Sequence, residues 1–507
     1  MPTPPAADGT VVLPGAVVRQ GQTDITLTLN RAAGGLANPS RVTLDGLSAV
    51  VASGSSDVRL VLTVSVPHGT APGKRTLQVM AATGELTIAD AVEVTAITAS
   101  PAGADGDANW GSAAAPFRTL KRALAVAGPG DTVNLLDGLY DGASGESWDY
   151  QTPPQVSIVG QSRAGTILRG PAGAGGSPDP PSPSPSISGV RPGDGLTLRT
   201  LSLAGFQHAV SVEVTAAVTL DEVDITGAQD EAIVIAPAAQ GSTLTVQGAA
   251  WSIVSTAASG ISADAPGAAV TVNGGTIKAA HHGIAFGEHC AACRLDLQGT
   301  AVTSGGDDNH AVFVLASDTA LGTRTEVASA IFNGDIFVDD SSATLSVTGT
   351  SVVEAFANNG IYFNGAQLAV KDSTITVTSP YYGVQLQGGV MTLSGVTIDG
   401  GTYGIYHSAG TATLRGTTIK NFAYVGYYLS TGDLDLGTKD ETGGNTFSGP
   451  DNGYGLYVAR LGPAKPVTCS NTSFNGELPL PGDVTGAVDL KGRFFINVGE
   501  VVSFSMR

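Results

Sequence analysis

Residues 359–420 read NGIYFNGAQLAVKDSTITVTSPYYGVQLQGGVMTLSGVTIDGGTYGIYHSAGTATLRGTTIK. Three times a glycine precedes an aliphatic residue, at Gly360-Ile361, Gly383-Val384 and Gly404-Ile405, and a second alternating run follows, such as Leu368/Val370/Ile375 or Leu393/Val396/Ile398. The small-then-apolar step extends outward in both directions. It occurs at Ala209-Val210, Ala232-Ile233, Gly260-Ile261, Gly283-Ile284, Ala311-Val312 and Asp335-Ile336 on one side, and at Gly426-Tyr427 and Gly455-Leu456 on the other. Ten steps cover the 246 residues from 209 to 455, or 24.6 per step, with individual steps of 21 to 29. A fixed period of this length marks a repeat architecture. Three short strands fit each period, and strands without helices must stack in parallel on their neighbours, about 4.8 Å per coil. About a dozen such coils predict an all-β rod roughly 60 Å long.

The first hundred residues differ. Ile25, Leu27 and Leu29 alternate, then Val42 and Leu44, then Val58, Leu60, Leu62, Val64 and Val66, with Leu77 and Val79 after the turn from His68 to Gly73. Period-two alternation broken by Gly and Pro turns predicts a small β-sandwich. The run Val12-Leu13-Pro14-Gly15, Gln20-Gly21-Gln22 and the Ala71-Pro72-Gly73 turn resemble the immunoglobulin-like IPT/TIG family. That resemblance implies a spacer or adhesion module and brings no catalytic residue.

Between the two lies a short helical pattern, Phe117, Leu120, Leu124 and Ala127, opened by Pro116 and stopped by Gly128-Pro129-Gly130. Four elements occur here in order: Asp105-Gly106-Asp107-Ala108-Asn109, Pro116-Phe117-Arg118-Thr119-Leu120, Pro129-Gly130-Asp131-Thr132-Val133 and Gly138-Leu139-Tyr140. Together they resemble the opening of right-handed parallel β-helix proteins of the DUF1565 and pectin-lyase-like group, in which the helix caps the coil. The expected domains are an immunoglobulin-like sandwich over 1–98, a cap and first coil over 99–140, a right-handed parallel β-helix over 141–490, and C-terminal cap strands over 491–507. Pro171 to Ser188 is expected to project as a loop, and Asp318 to Ala328 to lengthen another connection.

Composition excludes several function classes. The 507 residues carry 25 Lys+Arg against 44 Asp+Glu, a net charge of −19, so a duplex-binding basic stripe is not expected. Apolar runs fall short of the ~18 residues that a membrane span requires. No basic and apolar leader precedes Met1-Pro2-Thr3-Pro4-Pro5, so export after removal of a leader, or release by cell lysis, is the expectation, with the protein extracellular, on a cell surface or on a virion. Three cysteines do not make a disulfide framework. His289-Cys290-Ala291-Ala292-Cys293 lacks the second ligand pair of a zinc site, so a local disulfide or unreactive thiols are expected, and Cys469 is expected to be a buried thiol about 34 Å away along the stack.

In a stacked coil, residues at equal offsets from the repeat step form columns. The two positions before each step include Gln207/His208, Asp230/Glu231, His281/His282, Asn309/His310, Tyr381/Tyr382, Thr402/Tyr403, Tyr424/Val425 and Gly453/Tyr454. Tyr381, Tyr382, Tyr403, Tyr406, Tyr424 and Tyr454 are therefore candidate carbohydrate-binding residues, since phenol rings stack on sugar faces; a ladder that only holds coils in register is the alternative. His282, His310, Asp307 and Asp308 are the candidate catalytic set, carboxylates beside imidazoles being what inverting glycoside hydrolysis needs. Gly306-Asp307-Asp308 and His282-Gly283 resemble parts of the G-D-D and G-H-G motifs of polygalacturonases, in reversed order, and the family's R-I-K and N-T-D motifs have no counterpart. A lyase would draw its base from Lys278 or Lys371. Asp105, Asp107 and Asn109 alternate like the start of a calcium loop, with Trp110 and Pro116 where glycine and glutamate would stand, so a solvated turn is the other reading. Asp339, Asp340, Asp433 and Asp435 read as exposed turn or strand-edge acids.

Three functions follow as expectations: a spike or adhesin presenting a carbohydrate-interacting face, a polysaccharide hydrolase or lyase, and a structural fibre or decoration subunit. The expected partners are a polysaccharide or surface glycan and, through the N-terminal domain, a homotrimer or larger assembly.

Overall fold

The computed structural model describes residues 10–106, 110–148, 150–171, 188–191, 194–305, 309–315, 323–354, 359–378, 380–438, 440–459, 467–476, 483–484, 487–489 and 494–495. The chain is nearly all β, 53% strand and 2% helix, with a β-solenoid of about 12 turns after a small N-terminal sheet domain. It divides into two compact units, residues 1–206 with 216–224 and residues 207–215 with 225–507.

In the first unit, Thr10–Leu13, Ile25–Asn30, Arg59–Ser65 and Ser48–Val51 form one four-stranded sheet, and Ala16–Arg19, Gly84–Thr95, Gly73–Ala81 and Arg41–Leu44 form another. Alternate residues of both sheets meet in one core, Leu27, Leu60, Leu62 and Val64 from the first against Val18, Leu77, Val79, Val92 and Val94 from the second. This is sandwich packing, dictated by the period-two pattern. The chain then enters the solenoid at Ile97–Ala99, which pairs in parallel with Thr132–Leu135, and that strand pairs with Val156–Gly160. Asp131 joins the sandwich to this first coil. Its carboxylate is fully buried, with Oδ2 2.6 Å from Nδ1 of His68, and it accepts from the N–H groups of Gly69 and Gly128, both at 2.8 Å.

The helix begins later than the sequence pattern suggests. Thr119 caps Leu120–Val126, its hydroxyl accepting from the Arg122 N–H. Phe117 instead forms a parallel bridge with Ala99, donating to Thr98 O at 3.0 Å while its carbonyl accepts from Ser100 N at 2.8 Å. Those β-type bonds and the burial of the Phe117 ring outweigh a first helical turn at Pro116. Glu146 receives the Leu120 N–H at 2.6 Å, satisfying a donor that the helix leaves free.

In the second unit each period supplies one strand to each of three parallel columns. The repeat-step residues run in register as Val210, Ile233, Ile261, Ile284, Val312, Ile336, Ile361, Val384, Ile405, Tyr427 and Leu456. Every one of them is at 0% exposure, so this column is a continuous internal ridge. A second column carries Val270, Leu295, Thr325, Leu345, Leu368, Met391 and Ala412, and a third Ile277, Val302, Phe332, Val352, Ile375, Ile398 and Ile419. Each inward aliphatic residue contributes about 1.5–3 kcal/mol of burial. The small residue of each step has a steric cause: a Cβ on Gly383 would lie 2.3 Å from Cγ2 of Ile398 and 2.5 Å from the Gly404 carbonyl oxygen.

Two expectations need correction. The lengthened connection at Asp318 ends before Arg324, because Arg324–Ala328 is a ladder strand between Arg294–Gln298 and Thr344–Thr348. Asp340 is buried, not exposed: its carboxylate accepts from Ser342 N and Oγ at 3.0 and 2.7 Å, which ties the turn between two strands. Most of Pro171 to Ser188 lies outside the described residues. At the far end Ala487–Asp489 runs antiparallel to Tyr454–Val458, Asp483–Val484 runs antiparallel to Val467–Thr468, and Phe494–Phe495 pairs antiparallel with Ala487–Asp489. Ile496 and Val498 to Phe504 lie outside the described residues. Among the described residues no helix is long and apolar enough to cross a membrane.

Candidate functional site

Along a strand, side chains alternate in and out, so the residue after each buried step residue points outward. In successive coils these positions hold Phe313, Phe337, Tyr362, Gln385, Tyr406, Tyr428 and Tyr457, all partly exposed. Their rings stack face to face: Phe337 on Tyr362 at 4.5 Å and 8°, Tyr406 on Tyr428 at 5.0 Å and 5°, Tyr428 on Tyr457 at 5.4 Å and 4°. Gln385 interrupts the ladder, its Oε1 accepting from Asn359 Nδ2 at 2.9 Å. Rings in this geometry cover one another's faces and offer edges to solvent. This column therefore acts as a register ladder.

The neighbouring column differs. Tyr382 and Tyr403 are register partners, the next two coils continue this register with Val425 and Tyr454, and Tyr424 stands one residue before Val425. Tyr403 meets Tyr424 at 5.9 Å and 87°, and Tyr424 meets Tyr454 at 6.1 Å and 85°. Against the ladder, Tyr403 stands at 81° to Tyr406 and 76° to Tyr428. Perpendicular packing turns ring faces out of the stack, and Tyr424 and Tyr381 are 48% and 40% exposed. Burial, together with neighbouring phenols, pushes the Tyr382, Tyr403 and Tyr428 hydroxyls up from their ordinary range, so they stay protonated donors at neutral pH. Tyr406 belongs to the ladder, and Tyr382 stacks on it at 4.9 Å and 25° where Gln385 leaves the gap, whereas Tyr381, Tyr403, Tyr424 and Tyr454 make the edge. Beside it, Asn421, Ser448, Pro450 and Asn475 line a shallow groove that reaches Ala423.

The imidazoles of His282 and His310 lie parallel, 5.2 Å apart at 2°. The His310 N–H donates to His282 Nδ1 at 3.1 Å, and His310 Nδ1 lies 2.7 Å from Asp335 Oδ1. Burial, then the neighbouring imidazoles of His310 and His281, pushes His282 down to about 4, so it is neutral at pH 7. Burial also pushes the Asp335 carboxyl up, against the opposing pull of His310. Asp307 and Asp308 lie outside the described residues. Asp335 was not among the candidates, although the pattern contains a sign of it, a carboxylate at a step otherwise held by Gly or Ala. The His310 ring is packed between His282 and Phe337, the latter at 4.7 Å, which holds the imidazole in place.

The Asp105 carboxylate accepts from Arg118 N at 2.7 Å, Thr119 N at 3.1 Å and Thr119 Oγ1 at 2.7 Å, tying its loop to the helix start. Asp107 and Asn109 lie outside the described residues. Cys290 and Cys293 form a disulfide, which removes both thiolates as metal ligands, and His289 pairs with Asp264 at 2.8 Å. Cys469 is buried, and burial raises its thiol to about 11.

The domain family described as "Protein of unknown function (DUF1565)" matches residues 102–296. No curated protein matches the chain. Among solved structures, the catalytic unit of a thermostable GH87 alpha-1,3-glucanase from Streptomyces thermodiastaticus strain HF3-3 is similar at 13% identity and TM-score 0.43, over 80% of this chain and 73% of that one. A rhamnogalacturonan lyase is similar at 12% identity and TM-score 0.27, over 76% and 88%. The ORF18 protein of Geobacillus virus E2 is similar at 10% identity and TM-score 0.27, over 76% and 65%.

Proposed function

We propose that the protein is an extracellular, surface or virion-borne spike or adhesin that holds a polysaccharide along the tyrosine edge of its solenoid. The observation that carries this reading is the orientation of Tyr403, Tyr424 and Tyr454 on successive coils, which leave the ring ladder with Tyr424 nearly perpendicular to each of the other two. Aromatic faces at one-coil spacing suit the apolar faces of successive sugars. The N-terminal sandwich serves as the spacer or attachment module that its IPT/TIG resemblance implies.

The experiment is a glycan array followed by overnight incubation of each bound polysaccharide. Tyr424→Ala should weaken binding roughly tenfold, the weight of one lost ring contact at about 1.4 kcal/mol. Tyr406→Ala should weaken it less. No bound glycan at all would leave the solenoid as a structural fibre or decoration subunit.

A second reading is a polysaccharide hydrolase or lyase, favoured by the buried Asp335 that holds His310. It requires new reducing or unsaturated ends that Asp308→Asn abolishes.

A further inference from the structure

The column that ends in tyrosines begins, at the start of the second unit, with charged groups that a glycan face does not use. His208 opens the strand His208–Val212, and Asp230 and Glu231 precede its neighbour Ile233–Ile235. Val210 pairs with Ile233, so His208 lies over Glu231. His208 Nδ1 is 3.0 Å from the Glu231 carbonyl oxygen; its N–H donates there, and the free lone pair is on Nε2. Nε2 faces Asp230 Oδ2 at 4.0 Å, too far for a hydrogen bond, while Glu231 Oε2 is 3.5 Å from Nδ1. One donor atom from each of the three side chains lies within 4.8 Å of the other two, and all three are partly buried.

A backbone carbonyl that fixes one ring nitrogen and leaves the other toward a carboxylate, here Nε2 toward Asp230, is how metal-bound histidines are held, with the Glu231 carboxylate joining from the Nδ1 side. The 4.0 Å gap is too long for direct contact, and a closure of about half an ångström would bring the two donors to the roughly 3.4 Å separation of neighbouring ligands on a tetrahedral ion. Asp230 and Glu231 are neighbours in sequence and both carboxylates lie against the one imidazole, so a cation there would offset two negative charges at once. One imidazole with two carboxylates suits borderline first-row ions, whereas calcium takes six to eight oxygens.

We propose that His208, Asp230 and Glu231 bind one divalent transition-metal cation of the zinc class, which clamps two successive coils together. The test uses the full chain, stripped with a chelator and titrated with Zn²⁺ or Ca²⁺ by calorimetry, with bound metal counted by elemental analysis. One equivalent of zinc should bind, more tightly than calcium, and raise the melting temperature. Loss of an outer-shell partner commonly weakens metal affinity 10–100-fold, so His208→Gln and Glu231→Gln should each weaken zinc binding about 100-fold or more. Circular dichroism of the metal-free variants should match the parent, and Asp230→Asn serves if either of them misfolds. His289→Gln, at an exposed His–Asp pair, should leave the affinity unchanged. Absence of saturable zinc, zinc affinity indifferent to all three substitutions, or calcium bound as tightly as zinc would overturn the proposal. None of these results depends on glycan binding.

Discussion

At Gly383 the chain has no room for even a methyl group, because the Ile398 side chain and the Gly404 carbonyl oxygen lie 2.3 and 2.5 Å from where it would go. Gly383→Ala should therefore destabilise the fold by about 1–3 kcal/mol, the usual result of overpacking a core. Gly142→Ala, where nothing lies within 4 Å, is the control and should change stability by less than about 0.5 kcal/mol; urea titration distinguishes the two. His282 gives a pH signature at the same scale. Its folded pKa of about 4 lies below the ordinary imidazole value, so between roughly pH 6.5 and 4 the unfolded chain binds a proton that the folded chain refuses. Stability should fall as pH drops through that window. His282→Gln should flatten this part of the melting-temperature profile.

Asp131 shows how one side chain can couple two elements. It is fully buried and accepts from the Gly69 and Gly128 N–H groups, so Asp131→Ala should leave those two donors without their acceptor, release the half-exposed His68 ring to water and cost about 1–3 kcal/mol. Separate unfolding of the sandwich and the solenoid, followed by calorimetry, would be the visible result. The sequence contained the strand columns in legible form, because each internal residue recurs every 21 to 29 positions and aligns with its like. The helix start was less legible: Pro116 and Phe117 suit a first turn locally, and only the long-range bridge to Ala99 makes them β. Ring orientation was not legible at all. The same tyrosine is a ladder rung at 406 and an edge residue at 403, and the difference lies in side-chain angles that a linear pattern does not encode. Asp335 and the triad of His208, Asp230 and Glu231 stood in the columns, but their partners sit a full coil away.

For the molecule as a whole, the excess of acidic over basic residues bears on ligand choice. At −19, the protein should bind neutral glycans with little salt dependence, and polyuronates more weakly at low salt than at high salt. Binding isotherms at two ionic strengths would check this, and tighter binding of a polyuronate at low salt would count against it.

The antiparallel strands at the far end have a consequence for growth. A parallel stack of equivalent layers resembles a crystal in one dimension: its last layer is a template for another, and nothing in the repeat specifies a length. Ala487–Asp489, laid in the opposite sense on Tyr454–Val458, is a layer that the lattice cannot continue. It works as a terminator. A chain cut after Asn475 should lose that stop and elongate end to end, giving fibres whose lag time shortens with concentration in light scattering, while the parent stays at constant size.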